Sequence, residues 1–271
     1  MNNLEEYLQY AKSLSVDCDG DIVYTVLIGN CDRLKQPSVI DKNFFYFCIT
    51  DSEEHDFGIW SPIVIDRNYR DSRRTSRIFK TMPHLLFGNA AITIYVDASI
   101  RISGDMSDFS KKQLGPRGIS LFRHPSRDCI YQEAAACISR GKDVPAVIES
   151  QIARYRQLGY PEKNGLIAGS IILRHGRNPL AERLGRLWME EIGSSSLRDQ
   201  ISFNYVSWTN GIDFDFIDLD IQDNKYFELL PHSNLSSSKK LSILYILSMG
   251  RYLMSVSKLR LSRLVKRIAL R

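Results

Sequence analysis

The stretch AITIYVDASIRI, residues 91–102, is an apolar run broken once by a carboxylate. Apolar residues alternate along it and β-branched residues flank the break, the pattern of a strand buried in a sheet. A strand that only fills a core has no use for Asp97, because an unpaired carboxylate among apolar groups is costly. The small residues that follow, Ala98 and Ser99, leave room for a large ligand to approach the backbone. The run reads as one buried strand carrying a ligand-contacting acid.

Working outward, DIVYTVLIGN (21–30) reads as a first buried strand running into a Gly-Asn turn, and FFYFCITD (44–51) as a second that ends on Asp51. RRTSRIFKTMPHLLF (73–87) starts as a helix whose length Pro83 limits. SRDCIYQEAAACISRG (126–141) and VPAVIESQIARYRQLGY (144–160) read as helices stopped by Gly141 and by Gly159 with Pro161. GLIAGSIILRH (165–175) reads as another buried strand and PLAERLGRLWMEEIG (179–193) as a helix. SSSLRDQISFNYVSW (194–208) then reads as a short helix behind a serine cap, and FDFIDLD (214–220) as a strand. The one low-complexity patch, SNLSSSKK (233–240), suits a hinge. Such alternation predicts an α/β fold with a mixed, mostly parallel sheet flanked by helices.

Length and composition narrow the function. A chain of 271 residues buries one large core, or one core and an appendage. Five cysteines, an odd number with no C-x-x-C pair, suit free thiols in a reducing compartment. The opening MNNLEEYLQY carries acids and no long apolar core, unlike a secretion signal, and no run of 18 apolar residues suggests a membrane span. The net charge of +5 is unevenly placed: residues 229–271 hold nine Lys/Arg and no acid, so the first 228 residues are net −4. A nucleic-acid binder shows its basic surface on the folded domain. An acidic body with a basic tail predicts instead a domain with a docking element, and no nucleic acid.

In open α/β sheets ligands sit at the carboxyl ends of strands. Three such ends here carry ligand-contacting groups: Ile28-Gly29-Asn30-Cys31-Asp32, Asp51, and Asp97-Ala98-Ser99. An acid there accepts hydrogen bonds from a ribose or base, or holds a divalent cation; for Asp51 a turn or capping role reads equally well. Arg74, Arg77 and Lys80 recur every three residues and read as one cationic helix face, either a clamp for anionic ligand groups or a solvated face paired with Asp66 and Asp71.

Seven segments in order, YTVLIGNCD (24–32), FCITD (47–51), RRTSRIFKTMPHLLF (73–87), IYVDASIRI (94–102), HPSRDCIYQEA (124–134), QIARYRQLGYP (151–161) and LRDQISFNYV (197–206), carry a resemblance. Together they resemble a glycosyltransferase-like family, once a domain of unknown function, that includes plant mucilage-type glycosyltransferases and bacterial surface-polysaccharide enzymes. The resemblance covers roughly residues 21–235. It implies a GT-A (Rossmann-like) fold in residues 1–235, with a nucleotide-sugar half over about 1–110 and an acceptor half over about 111–235. Residues 236–271 form a basic tail outside it.

The resemblance also implies roles. VDAS stands where an Asp-x-Asp signature holds Mn2+ or Mg2+ against the donor diphosphate, the donor being a nucleotide sugar such as a UDP-sugar. Ser99 takes the place of the second acid, so Asp97 would need a further ligand, for which His232 in ELLPHSN stands as a candidate beside its reading as a surface-loop histidine. The Arg74, Arg77 and Lys80 helix is placed near the donor. LRDQISF resembles the Asp-Gln pair beneath the transferred sugar in retaining enzymes, giving Asp199 and Gln200 catalytic roles and Arg198 a binding role, against a local Arg198–Asp199 ion pair. Apart from the resemblance, WMEE (188–191) offers Glu190 and Glu191 as candidate general bases, or as a solvated pair on a helix surface. His124, Arg127, Tyr131 and Glu133 are candidate acceptor-side or donor-sugar contacts, and His175 is another, or a satisfied strand-end histidine.

The tail completes the expectation. Leu261, Leu264, Val265 and Ile268 share one helical face, with Arg260, Arg263, Lys266 and Arg267 opposite. That pattern suits a helix lying on an anionic membrane surface, or an ordinary packed terminal helix. LSILYILSMGRYLM (241–254) suits a helix packed on the domain or on a second subunit of a homodimer. The expectation is a cytoplasmic enzyme, peripherally associated with the inner face of the cell membrane. It would move a sugar to a glycan or lipid-linked glycan of the surface-polysaccharide kind. The alternative is a catalytically silent carbohydrate-binding or scaffolding relative.

Overall fold

Seven strands form one twisted sheet in the computed structural model, which describes residues 4–29, 32–67 and 71–230. In chain order the elements are α1 (Leu4–Ser13), β1 (Asp21–Leu27), β2 (Phe44–Thr50), β3 (Ser61–Val64), α2 (Ser72–Thr81), a 3-10 turn (Pro83–Leu85), β4 (Ile92–Val96), β5 (Ile100–Ile102), α3 (Met106–Gln113) and β6 (Ile119–Arg123). There follow α4 (Ile130–Ser139), α5 (Pro145–Gln157), β7 (Ile167–His175), α6 (Pro179–Ser194), α7 (Asp199–Asn210), β8 (Asp215–Ile217) and β9 (Phe227–Leu229). The sheet order is β3-β2-β1-β4-β7-β6-β8. Every neighbouring pair is parallel except β4–β7 and β7–β6. The mixed, mostly parallel sheet expected from the alternation is therefore present, with β7 alone reversed.

Alternation on β1 sorts the core into two layers. Ile22, Tyr24 and Val26 face a layer with Phe79, Phe87, Tyr155, Trp188 and Phe203, supplied by α2, the segment after the 3-10 turn, and α4–α7. Val23 and Leu27 face the other, where Phe109 of α3 packs with Phe122, Tyr226 and Phe227. Burying each large side chain of this kind contributes about 1.5–3 kcal/mol, so both faces drive the fold. The four described cysteines, Cys18, Cys48, Cys129 and Cys137, are buried free thiols within these layers.

Two local expectations are corrected. Residues 91–102 are not one strand: β4 stops at Val96, the Ile100 amide donates to the Asp97 carbonyl at 2.9 Å, and this turn redirects the chain. β5 then leaves the main sheet to pair antiparallel with β9. Nor does a serine cap the helix at 199. Arg198 occupies that position with no capping side-chain bond, because Ser195 and Ser196 donate instead to Glu191 at 2.8 Å and Gln151 at 2.6 Å.

A candidate active site at the Asp97 edge

The β4–β5 turn puts Asp97 at the carboxyl edge of the sheet. Its amide donates to Ser170 on β7 at 2.8 Å, and its carboxylate accepts from the Tyr95 hydroxyl. The side chain remains 34% exposed, so an oxygen stays open to a ligand. Lys80, near the end of α2, reaches toward it at 3.8 Å and pairs more closely with Asp199 at 2.6 Å. Arg77, one turn earlier, lies 3.5 Å from the same Asp199 oxygen.

Asp199 opens α7 and is buried. Burial alone pushes its pKa up, but Arg77, Lys80 and Arg198 together hold it well below the usual carboxylate range. It therefore stays ionised, paired with Lys80 and Arg77. Its other oxygen accepts from the Gln200 amide at 3.1 Å, while the Gln200 side chain donates to the Ile167 carbonyl of β7 at 3.2 Å. Sequence reasoning missed Gly169 on β7. A Cβ there would lie 3.5 Å from Lys80 Nζ and 3.6 Å from Asp199 Oδ2, so this glycine floors the cluster.

A second cluster lies where β6 runs into α4. His124 Nδ1 accepts from the amides of Ser126 and Arg127 at 3.2 and 3.1 Å, and its Nε2 faces the Arg127 guanidinium at 2.9 Å. Burial first, and Arg127 second, lower the His124 pKa. Arg127 Nε donates to buried Glu133 at 2.7 Å, and the Cys137 thiol donates to the same carboxylate at 3.3 Å. Arg198 lies against Cys137. The adjacent residues Arg198 and Asp199 thus connect the two clusters.

Other candidates are placed elsewhere or engaged by the fold. Arg74 does not share the Arg77–Lys80 face. Residues three apart on a helix fall about 60° short of a full turn, so two such steps carry Arg74 about 120° away from Lys80. Its guanidinium donates instead to the carbonyls of Ile192, Gly193 and Ser195 at the end of α6. Glu191 accepts from Arg154, from Tyr155 at 2.7 Å and from Ser195 at 2.8 Å. Burial opposes ionisation there, yet these donors lower its pKa, which is the wrong direction for a general base. The Tyr131 hydroxyl donates to the Tyr160 carbonyl at 2.7 Å, within the core. His175 is at the opposite end of the sheet: β7 is reversed, so its last residue pairs with Ile92 at the start of β4.

At the remaining strand ends, both Asp51 oxygens accept from the Gly29 amide at 3.2 Å. Gly29 has φ +79°, and a Cβ there would lie 2.8 Å from Ser72 Oγ, so the turn requires glycine. Ile28 is buried, whereas Ala98 and Ser99 are part-exposed in the Asp97 turn. Among the described residues no three His, Cys, Asp or Glu side chains are grouped to hold a metal ion. Asp97, with an ammonium beside it, is not by itself a metal site, and His232 and the basic tail lie outside the described residues.

A family model described as the TOD1/MUCI70 glycosyltransferase-like domain matches residues 9–216. The probable hexosyltransferase MUCI70 of Arabidopsis thaliana is 25% identical over 217 residues, which is 70% of this chain and 37% of that protein. The chain thus spans little more than a third of that relative's length. The apo structure of the bifunctional glycosyltransferase WbbM is similar over 75% of this chain and 40% of its own, at 12% identity and a TM-score of 0.46. Apo mouse xyloside xylosyltransferase 1 is similar over 74% of this chain and 85% of its own, at 11% identity and a TM-score of 0.43. Since the family match runs from α1 into β8 and takes in Asp97, Lys80 and Asp199, the chain belongs to the TOD1/MUCI70 glycosyltransferase-like family.

Proposed function

We propose that the chain transfers a hexose-type sugar from a nucleotide-sugar donor, such as a UDP-sugar, to a glycan or lipid-linked glycan acceptor of the lipopolysaccharide, O-antigen or capsule kind. The observation that carries this reading is the convergence of Asp97, Lys80, Arg77 and Asp199 on one edge of the sheet. Asp97 is the accessible acid, open to the donor. Asp199 is the buried anion that fixes two cations in place. Fixed charges of this kind act on developing charge without reorganising during the reaction. The hexose follows the name of the Arabidopsis relative.

The test is transfer and donor hydrolysis with a panel of nucleotide sugars, run with Mn2+, with Mg2+ and with chelator. The panel tests a metal on Asp97 and His232 at the same time. Asp97→Asn should lower turnover about 100-fold or more with the fold intact. Wild-type turnover in that variant removes Asp97 from the reaction. Ser99, in the place of a second acid, favours a second reading as a silent carbohydrate-binding relative. Donor binding with neither transfer nor hydrolysis would select it.

The tail keeps its place in this reading on charge alone. Each basic residue near an anionic membrane is worth about 1 kcal/mol, enough in sum to hold an enzyme at the inner face beside lipid-linked acceptors. Liposome flotation of the full chain against a chain ending at Ser257 tests it. Equal binding by both, or by neither at low salt, rejects the anchor.

A further inference from the structure

At the end of the sheet opposite Asp97, a cavity of about 20 Å³ is lined by β4, β7, the 3-10 turn and the start of α6. Three of its lining residues each carry a buried polar atom with no hydrogen-bonding partner among the described residues: Arg174 Nε, His84 Nε2 and Thr93 Oγ1. Arg174 is 3% exposed. Its other nitrogens meet neutral oxygens only, the Tyr24 hydroxyl at 3.5 Å and the Lys80 carbonyl at 3.1 Å. Among the described ion pairs none joins Arg174 to a carboxylate, although a buried charge without a counter-charge is costly. The positive end of the α6 dipole adds to the field, since Ala181 and Glu182 of its first turn line the same cavity. Glu182 is part-exposed.

We propose that this cavity binds one halide-sized anion, chloride under ordinary conditions, as the counter-charge of Arg174. A cavity of about 20 Å³ suits a small spherical anion better than phosphate, sulfate or a carboxylate. Water would satisfy the three orphan atoms but leave the guanidinium uncompensated. The site also bears on the active edge. Arg174 Nη2 holds the Lys80 carbonyl while Lys80 Nζ holds Asp199, so the anion braces the end of α2 from behind.

Two measurements on the full chain test this. In crystals soaked with sodium bromide, an anomalous peak is expected within hydrogen-bonding reach of Arg174 Nε and Thr93 Oγ1. In solution, the melting temperature should rise by about 2–3 °C per tenfold increase in chloride once the site fills, against gluconate at equal ionic strength. Arg174→Met should abolish that difference. Should this variant not fold, Thr93→Val, which keeps the shape and removes one donor, should weaken the chloride response. No anomalous peak, or equal melting of the wild type in both salts, overturns the proposal in favour of an ordered water.

Discussion

Lys80 Nζ lies 2.6 Å from Asp199 Oδ2, and both side chains are 4% exposed. The pair joins the end of α2 to the start of α7 across 119 residues of chain. Removing one partner leaves the other charge buried and alone. Asp199→Ala should therefore cost about 3–5 kcal/mol of stability. Adding Lys80→Met should restore much of that loss without restoring turnover. Urea titration of both singles and the double, beside donor turnover, checks the cycle; additive losses in stability would refute the pair's coupling.

Glu191 gives the contrasting outcome. Its partners Arg154, Tyr155 and Ser195 tie α5 to the end of α6. Glu191→Gln should lower stability by about 1–3 kcal/mol and leave turnover within a few-fold of wild type. A collapse of turnover with unchanged stability would return Glu191 to the chemistry.

Gly169 sets the clearance under the cluster. A single added carbon meets its neighbours at 3.4–3.6 Å, ordinary contact distances, so Gly169→Ala should fold and retain activity. Gly169→Val brings two more methyl groups toward Lys80 and Asp199. A displacement of about 1 Å there should cost about 100-fold in rate. Steady-state kinetics of the two variants read the difference, and equal rates would show that this glycine is not a floor.

His84 should make the fold acid-sensitive. Burial, and then Arg174 and Arg186, lower its pKa from 6.5 to about 4. Arg177, His175 and Glu182 line the cavity with it. With the folded value depressed, the folded state binds fewer protons than the unfolded chain between these two pH values. The stability contributed is fully present above about pH 6.5 and declines as pH falls toward 4. In gluconate buffers the melting temperature should drop more between pH 7.5 and 5 for wild type than for His84→Gln. Parallel curves would show that His84 does not carry the dependence.

Much of the sheet is legible in the sequence because β1, β2 and β7 are apolar on both faces and bounded by turn residues. The helices of 126–208 are legible for a similar reason, having clear glycine and proline stops. Short elements are not: ISLFR (119–123), SPIV (61–64) and FEL (227–229) are too brief for periodicity to register. The break at Asp97 was hidden because Ile100 and Ile102 continue the alternation of β4, while their pairing partner lies some 125 residues away in β9. Within the site, a lone acid in an apolar run pointed to Asp97, helical spacing to Lys80 and the family resemblance to Asp199, but nothing pointed to their mutual contact. The direction of β7 decided the rest. Reading 165–175 as one more parallel strand puts His175 at the ligand edge, whereas reversal puts Gly169 near it. Glycine carries no chemical signal that would mark it beforehand.

The reversed strand also governs how the molecule can assemble. Among the described residues the ladder joins β1–β4 to β6 and β8 through β7, whose partners Val96 and Leu121 lie 75 and 51 residues upstream of Ile171 and Ile172. Contacts that span so much chain incur a large closure entropy before they return any stability. Until β7 inserts, the Asp97 amide has no Ser170 carbonyl to meet, Lys80 has no Gly169 beneath it, and the two groups of strands share no ladder. Ordering of the Asp97 edge thus depends on β7 being seated between β4 and β6.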